Sequence, residues 1–151
     1  MSAAEQRSDG PLASHPLCAG CSPAAGAPDT VYTVSGPASV RGRVRLHDRH
    51  QGWARIAHGG VVALTLDEAV GTLLTSMGLR AVTAQLDVSY LSPCPVGMWL
   101  DVEARVLEHE GRRREIEVVL RRHDAERPIA TARATALEVA DDHPAFTVPA
   151  G

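Results

Sequence analysis

The sequence predicts an α+β domain in which an antiparallel β-sheet wraps around one long central helix. Two observations carry this. Residues 60–77 form a helical stretch that is apolar around most of its circumference, the pattern of a helix covered on nearly every side. Segments of alternating apolar and polar residues lie before and after it, and these are strands with one face buried. One such helix and several such strands satisfy each other by layering, the helix filling the concave face of the sheet.

The elements follow in order. Residues 1–30 are rich in Ala, Ser, Gly and Pro without periodicity and are expected to be a flexible arm. A domain is expected over 31–140 and a tail over 141–151. Val31 to Val34 is a short strand. Ser39 to Leu46 is a second, with Val40, Val44 and Leu46 alternating against Arg41, Arg43 and Arg45. Asp48 to Ala57 is a loop. In the helix, Thr65, Glu68, Thr72, Thr75 and Ser76 form a polar stripe expected to face solvent, whereas Asp67 projects from apolar surface about 100° away from Glu68. Val82 to Leu91 is a strand in which Val82, Ala84, Leu86, Val88 and Tyr90 face one way and Thr83, Gln85, Asp87 and Ser89 the other. Ser92 to Gly97 breaks it. Leu100 to Leu107 and Arg114 to Arg121 make a hairpin about Glu110-Gly111, and Ile129 to Val139 is the last strand.

Composition bounds the function. At 151 residues one domain is expected, large enough for a core without staples. A hydrophobic share of 44% and a charged share of 22% are those of a soluble globular protein. The formal net charge of −3 argues against a nucleic-acid partner, and no stretch reaches the length of a membrane span. Without an apolar leader at the N-terminus, a cytoplasmic location is expected. All 15 basic residues are arginine, which excludes a lysine Schiff base and a P-loop lysine. Cys18 and Cys21 form a C-x-x-C with His15 three residues upstream, and Cys94 stands apart between prolines. With no second C-x-x-C or H-x-x-x-H to complete a four-ligand set, no metal and free thiols are expected.

The chemistry concentrates at His58-Gly59-Gly60 and Asp67. A helix start offers unpaired N–H groups and a positive dipole end, and glycine lets a ligand approach that backbone. The Gly59 and Gly60 amides are therefore candidate donors to a carbonyl or an oxyanion, against the alternative of a plain glycine turn. Charged side chains are rarely fully buried unless paired or used, so Asp67 is a candidate for tuned chemistry or an aspartate satisfied locally, and spacing alone leaves both open.

His58-Gly59-Gly60, Asp67 nine residues after the histidine, Thr83 in its strand, then Pro93 and Gly97, together resemble the hotdog-fold acyl-CoA thioesterases of the PaaI-like group over about residues 45–140. The resemblance implies that Asp67 is nucleophile or general base, that Gly59 supplies an oxyanion amide, that His58 lies beside the thioester, and that Thr83, from the neighbouring subunit, places the water or the carboxylate. It implies a homodimer or a dimer of dimers, and no cofactor beyond the coenzyme A of the substrate. Many relatives carry Asn or Gln six residues before the histidine. Gly52 stands there, with Gln51 and His50 adjacent as candidate substitutes. Trp53 is a candidate for the acyl pocket, Trp99 for the core, and the Arg112-Arg113-Arg114 cluster for the phosphates of the substrate. The expected reaction is thioester hydrolysis. The alternatives are a non-catalytic acyl-CoA-binding module and, less favoured by the motif, a hotdog dehydratase.

Overall fold

A computed structural model describes residues 16–144. Six strands form one antiparallel sheet: β1 (Asp29–Gly36), β2 (Ser39–Arg45), β5 (Ala81–Tyr90), β6 (Trp99–Glu110), β7 (Arg113–Arg122) and β8 (Pro128–Glu138), in the order β1-β2-β6-β7-β8-β5. A small hairpin, β3 (Gln51–Trp53) with β4 (Ile56–Ala57), occupies the segment expected as loop. α1 (Gly59–Ser76), the single α-helix among the described residues, lies against the inner face of the sheet. Its first turn is capped by His58 and its end is closed by Gly78 at φ +73°, a left-handed turn natural to glycine.

The core is the layer between helix and sheet. Val62, Leu66, Ala69, Val70, Leu73 and Leu74 of α1 are buried against Ile116, Val118 and Leu120 of β7 and Ala130, Ala132, Ala134 and Ala136 of β8. The all-alanine inner stripe of β8 leaves room for the large leucines of the helix. Each fully buried leucine contributes about 1.5–3 kcal/mol by leaving water.

Several expectations are corrected here. Thr65 is buried rather than solvent-facing; its Oγ1 donates back to Val61 O at 2.9 Å, satisfying the hydroxyl within the helix. Trp99 is not in the core. It lies on the outer face of the sheet, with the Arg43 and Arg45 guanidinium carbons 5.6 and 4.8 Å from its ring centre. Of the expected arm, residues 1–15 lie outside the described residues, as does 145–151 of the expected tail. Residues 16–28 instead take defined positions: Gly20, Ser22, Ala27 and Pro28 are buried, and the carbonyls of Gly26 and Ala27 accept from Arg49 while Gly26 O is 2.8 Å from His50 Nε2. Glu68 lies under this segment, not in open solvent.

Gly42 of β2 has no room for a side chain: a Cβ there would sit 2.5 Å from Val31 O and 2.6 Å from Cδ1 of the buried Tyr32. Gly42→Ala is expected to lower unfolding free energy by about 1–3 kcal/mol, the cost of overpacking, read as a reduced urea midpoint with unchanged slope.

Candidate functional site

The site is built at the start of α1 and along the side of the helix that faces β5. His58 ends β-type backbone and begins the helix. Its carbonyl accepts from the N–H groups of Val61 and Val62 at 2.9 and 3.1 Å, and its ring Nδ1 accepts from the Gly60 N–H at 2.9 Å. An imidazole can accept only through an unprotonated nitrogen, so any proton on the neutral ring sits on Nε2. The expectation of two open glycine amides is thereby corrected. The Gly60 N–H is committed to its own cap, whereas no described residue accepts from the Gly59 N–H. Gly52 packs edge-on against this histidine, where a Cβ would lie 3.1 Å from His58 Cα. That contact explains a glycine at Gly52.

Tyr90 is a site residue that the sequence reading missed. From the end of β5 its hydroxyl donates to Gly59 O at 2.8 Å, fixing the peptide whose neighbouring N–H is open. A strand-end tyrosine 31 residues from its acceptor leaves no sequence signal.

Asp67 is half-buried, and its Oδ1 accepts from Thr83 Oγ1 at 2.8 Å within the same chain. The expected pairing across subunits is therefore corrected. The physical cause is a β-bulge. On β8, Thr83 pairs with Ala136 and Gln85 with the next residue, Thr135, so Ala84 is an extra residue. One extra residue reverses side-chain parity along β5. Ala81, Leu86 and Val88 all pack against the core although they do not share parity, and Val82 is left 44% exposed. The strict alternation expected over Val82 to Leu91 would have turned Thr83 away from the helix.

The other expected contacts do not assemble. Gln51 is used by its own loop: Oε1 accepts from the Arg55 N–H and Nε2 donates to Asp48 O. His50 is likewise spent, Nδ1 accepting from the His47 N–H at 2.8 Å. Neither replaces the missing amide side chain at Gly52. Trp53 stands 80% exposed on the hairpin before His58 and is not enclosed by the described residues. Within one chain the Arg112-Arg113-Arg114 cluster lies at the other end of α1. Arg113 pairs with Leu137, and Ala81 with Glu138, beside the close of α1, whereas Tyr90 marks its start. The 18 residues of α1 put about 27 Å between those ends. Within the cluster, Arg114 is buried with Nη1 2.8 Å from Glu138, and Arg113 is 2.8 Å from Glu115. Cys94 is buried, which pushes its thiol up to about 11 and keeps it protonated.

Residues 55–129 match the family model of the thioesterase superfamily. No curated protein matches the chain in sequence. Among solved structures, the chain is similar to RHA08564, a thioesterase superfamily protein, at 29% identity and TM-score 0.71, covering 78% of this chain and 61% of that one. This chain thus spans less than two thirds of that relative. A hypothetical thioesterase from Streptococcus pneumoniae, solved with coenzyme A, matches at 18% identity and TM-score 0.68 over 74% of this chain and 87% of its own. PaaI of E. coli, from the phenylacetic acid degradation operon, matches at 18% and TM-score 0.62 over 68% and 73%. The pneumococcal protein was also solved with an aspartate and a threonine separately replaced by alanine; the two lie 16 positions apart, as do Asp67 and Thr83.

The His58 cap is a stability term distinct from chemistry. His58→Ala is expected to cost about 0.5–2 kcal/mol in thermal or urea unfolding, and His58→Asn, another side chain that caps helices, should recover most of it.

Proposed function

We propose that this chain, a member of the thioesterase superfamily with the hotdog fold, hydrolyses an acyl-CoA thioester to the carboxylic acid and free coenzyme A, in the cytoplasm, as a homodimer whose sites are each shared by two chains. The observation that carries the reading is the Thr83–Asp67 hydrogen bond, which presents a half-buried carboxylate in a fixed orientation. The coenzyme A bound to a protein of the same fold supports the substrate class.

The geometry of α1 supports the shared site. A base or nucleophile and an oxyanion donor must both reach one carbonyl carbon, each within about 3 Å of the atom it serves. Gly59 and Asp67 lie eight residues apart on one rigid helix, which separates them by about 12 Å. One chain therefore cannot serve one carbonyl with both. The edge strand β5 is ten residues long, pairs only with β8 among the described strands, and exposes Val82, Tyr90 and the adjoining Leu91. A long unpaired apolar edge invites a second copy, and a two-fold contact there sets the Asp67 side of one helix against the start of the other.

In the reaction, the thioester carbonyl takes a hydrogen bond from Gly59 N–H, and the helix start stabilises the negative oxygen as it forms. Asp67 either removes a proton from the attacking water or attacks the carbon itself, giving an anhydride that water then opens. In both routes the C–S bond breaks and the thiolate leaves to take a proton. Thr83, donating to one carboxylate oxygen, leaves the other for the water or the carbon. His58 serves as the cap that aims the Gly59 peptide.

A panel of acyl-CoAs with a free-thiol readout tests this. Asp67→Asn should abolish release while folding is retained. Gly59→Pro is a clean deletion of one N–H: proline suits the first helical position, and the His58 backbone at φ −61°, ψ 134° already has the geometry a following proline demands. It should lower kcat about 100- to 1000-fold. Tight acyl-CoA binding without turnover in the unaltered protein would instead make the chain a binding module, and water gained or lost on the acyl chain with the thioester intact would make it a dehydratase.

A further inference from the structure

The defined segment 16–28 lies across α1 at Glu68, about 100° around the helix from Asp67, and it brings two thiols to one carboxylate. Cys18 Sγ is 3.4 Å from Glu68 Oε2, and the ligand atoms of Cys18, Cys21 and Glu68 all lie within 4.8 Å of one another. We propose that Cys18, Cys21 and Glu68 bind one zinc ion, which staples the N-terminal segment to the central helix.

The donor geometry is that of a tetrahedral site. With Zn–S near 2.3 Å and Zn–O near 2.0–2.2 Å, tetrahedral angles put a sulfur and an oxygen ligand about 3.6 Å apart and two sulfurs about 3.8 Å apart. The distance from Cys18 to Glu68 is already of that size. Two thiolates and one carboxylate suit zinc among the divalent cations, and the fourth position is left to a water. The C-x-x-C spacing wraps the ion, and Gly20 inside it lets the Glu68 carboxylate approach, since a Cβ there would displace that carboxylate.

The electrostatics point the same way. Without a cation, three acidic groups share one partly buried spot. Tyr32, buried in the sheet, has a hydroxyl with no hydrogen-bond partner among the described residues. A divalent cation supplies the missing positive charge. Binding releases the two thiol protons to solvent, and each Zn–S bond takes its electron pair from the thiolate. The spacing of cysteines alone gave no third ligand, because Glu68 arrives from 47 residues beyond Cys21.

The test is titration of the full-length, reduced protein with Co²⁺, which reports thiolate ligation by near-ultraviolet charge-transfer absorption and tetrahedral geometry by visible bands. The expected result is saturation at one equivalent, displacement by Zn²⁺, loss of the charge-transfer band in Cys18→Ser and Cys21→Ser, and affinity weakened at least about tenfold in Glu68→Gln. Zinc should also raise the melting temperature of the unaltered chain and not of the double cysteine variant. Absence of a charge-transfer band in the unaltered chain overturns the proposal whatever the variants do, as does an undiminished band in the double cysteine variant.

Discussion

A single rigid helix governs everything the site does. Backbone hydrogen bonds fix Gly59 and Asp67 at their separation along α1, and no side-chain motion brings the open amide and the carboxylate to one atom. Any chemistry using both must draw them from two helices. The same constraint gives meaning to features that a lone subunit leaves unexplained: an unpaired ten-residue edge strand, exposed Tyr90 and Leu91, an exposed Trp53 beside the cap, and a helix whose Asp67 side is only half covered.

Two local devices tune that frame. The bulge at Ala84 reverses the parity of β5 and aims the Thr83 hydroxyl at Asp67 while the rest of the strand keeps its packing. The cap at His58 consumes the Gly60 N–H and, while the Tyr90 hydroxyl holds the Gly59 carbonyl, leaves the Gly59 N–H without an acceptor among the described residues. One device orients the acid and the other the donor, and both act within a single chain before any second copy arrives. Residues 16–28 cover the remaining side of the helix at Glu68, next in sequence to the proposed catalytic acid and about a quarter-turn from it.

Much of this was legible in the sequence, and the reason is periodicity. The helix boundaries, the two leading strands, the hairpin about Gly111 and the last strand all follow from apolar spacing and turn residues. Asp67 and His58-Gly59-Gly60 stood out because glycines and a lone carboxylate interrupt an otherwise apolar pattern. What stayed hidden depends on contacts between distant residues. A bulge is decided by pairing with β8, not by the composition of β5, so the facing of Thr83 was misjudged. Arg112-Arg113-Arg114 are neighbours in sequence, yet strand alternation points Arg114 inward to Glu138. Gln51 and His50 look free in sequence and are consumed by their own loop. The segment 16–28 has no periodicity because Gly20, Ser22 and the carbonyls that meet Arg49 and His50 hold it by backbone and polar contacts.

The shared site is tested most directly by subunit mixing. Asp67→Asn and Gly59→Pro protomers, each inactive as a homodimer, are unfolded together, refolded, and checked for mixed dimers by native mass spectrometry. If one site takes its acid and its amide from different chains, half of the dimers carry one intact site of two, and thiol release returns to about a quarter of the unaltered level. If mixed dimers form and release stays at the level of the separate variants, acid and amide belong to the same chain, and the account is wrong.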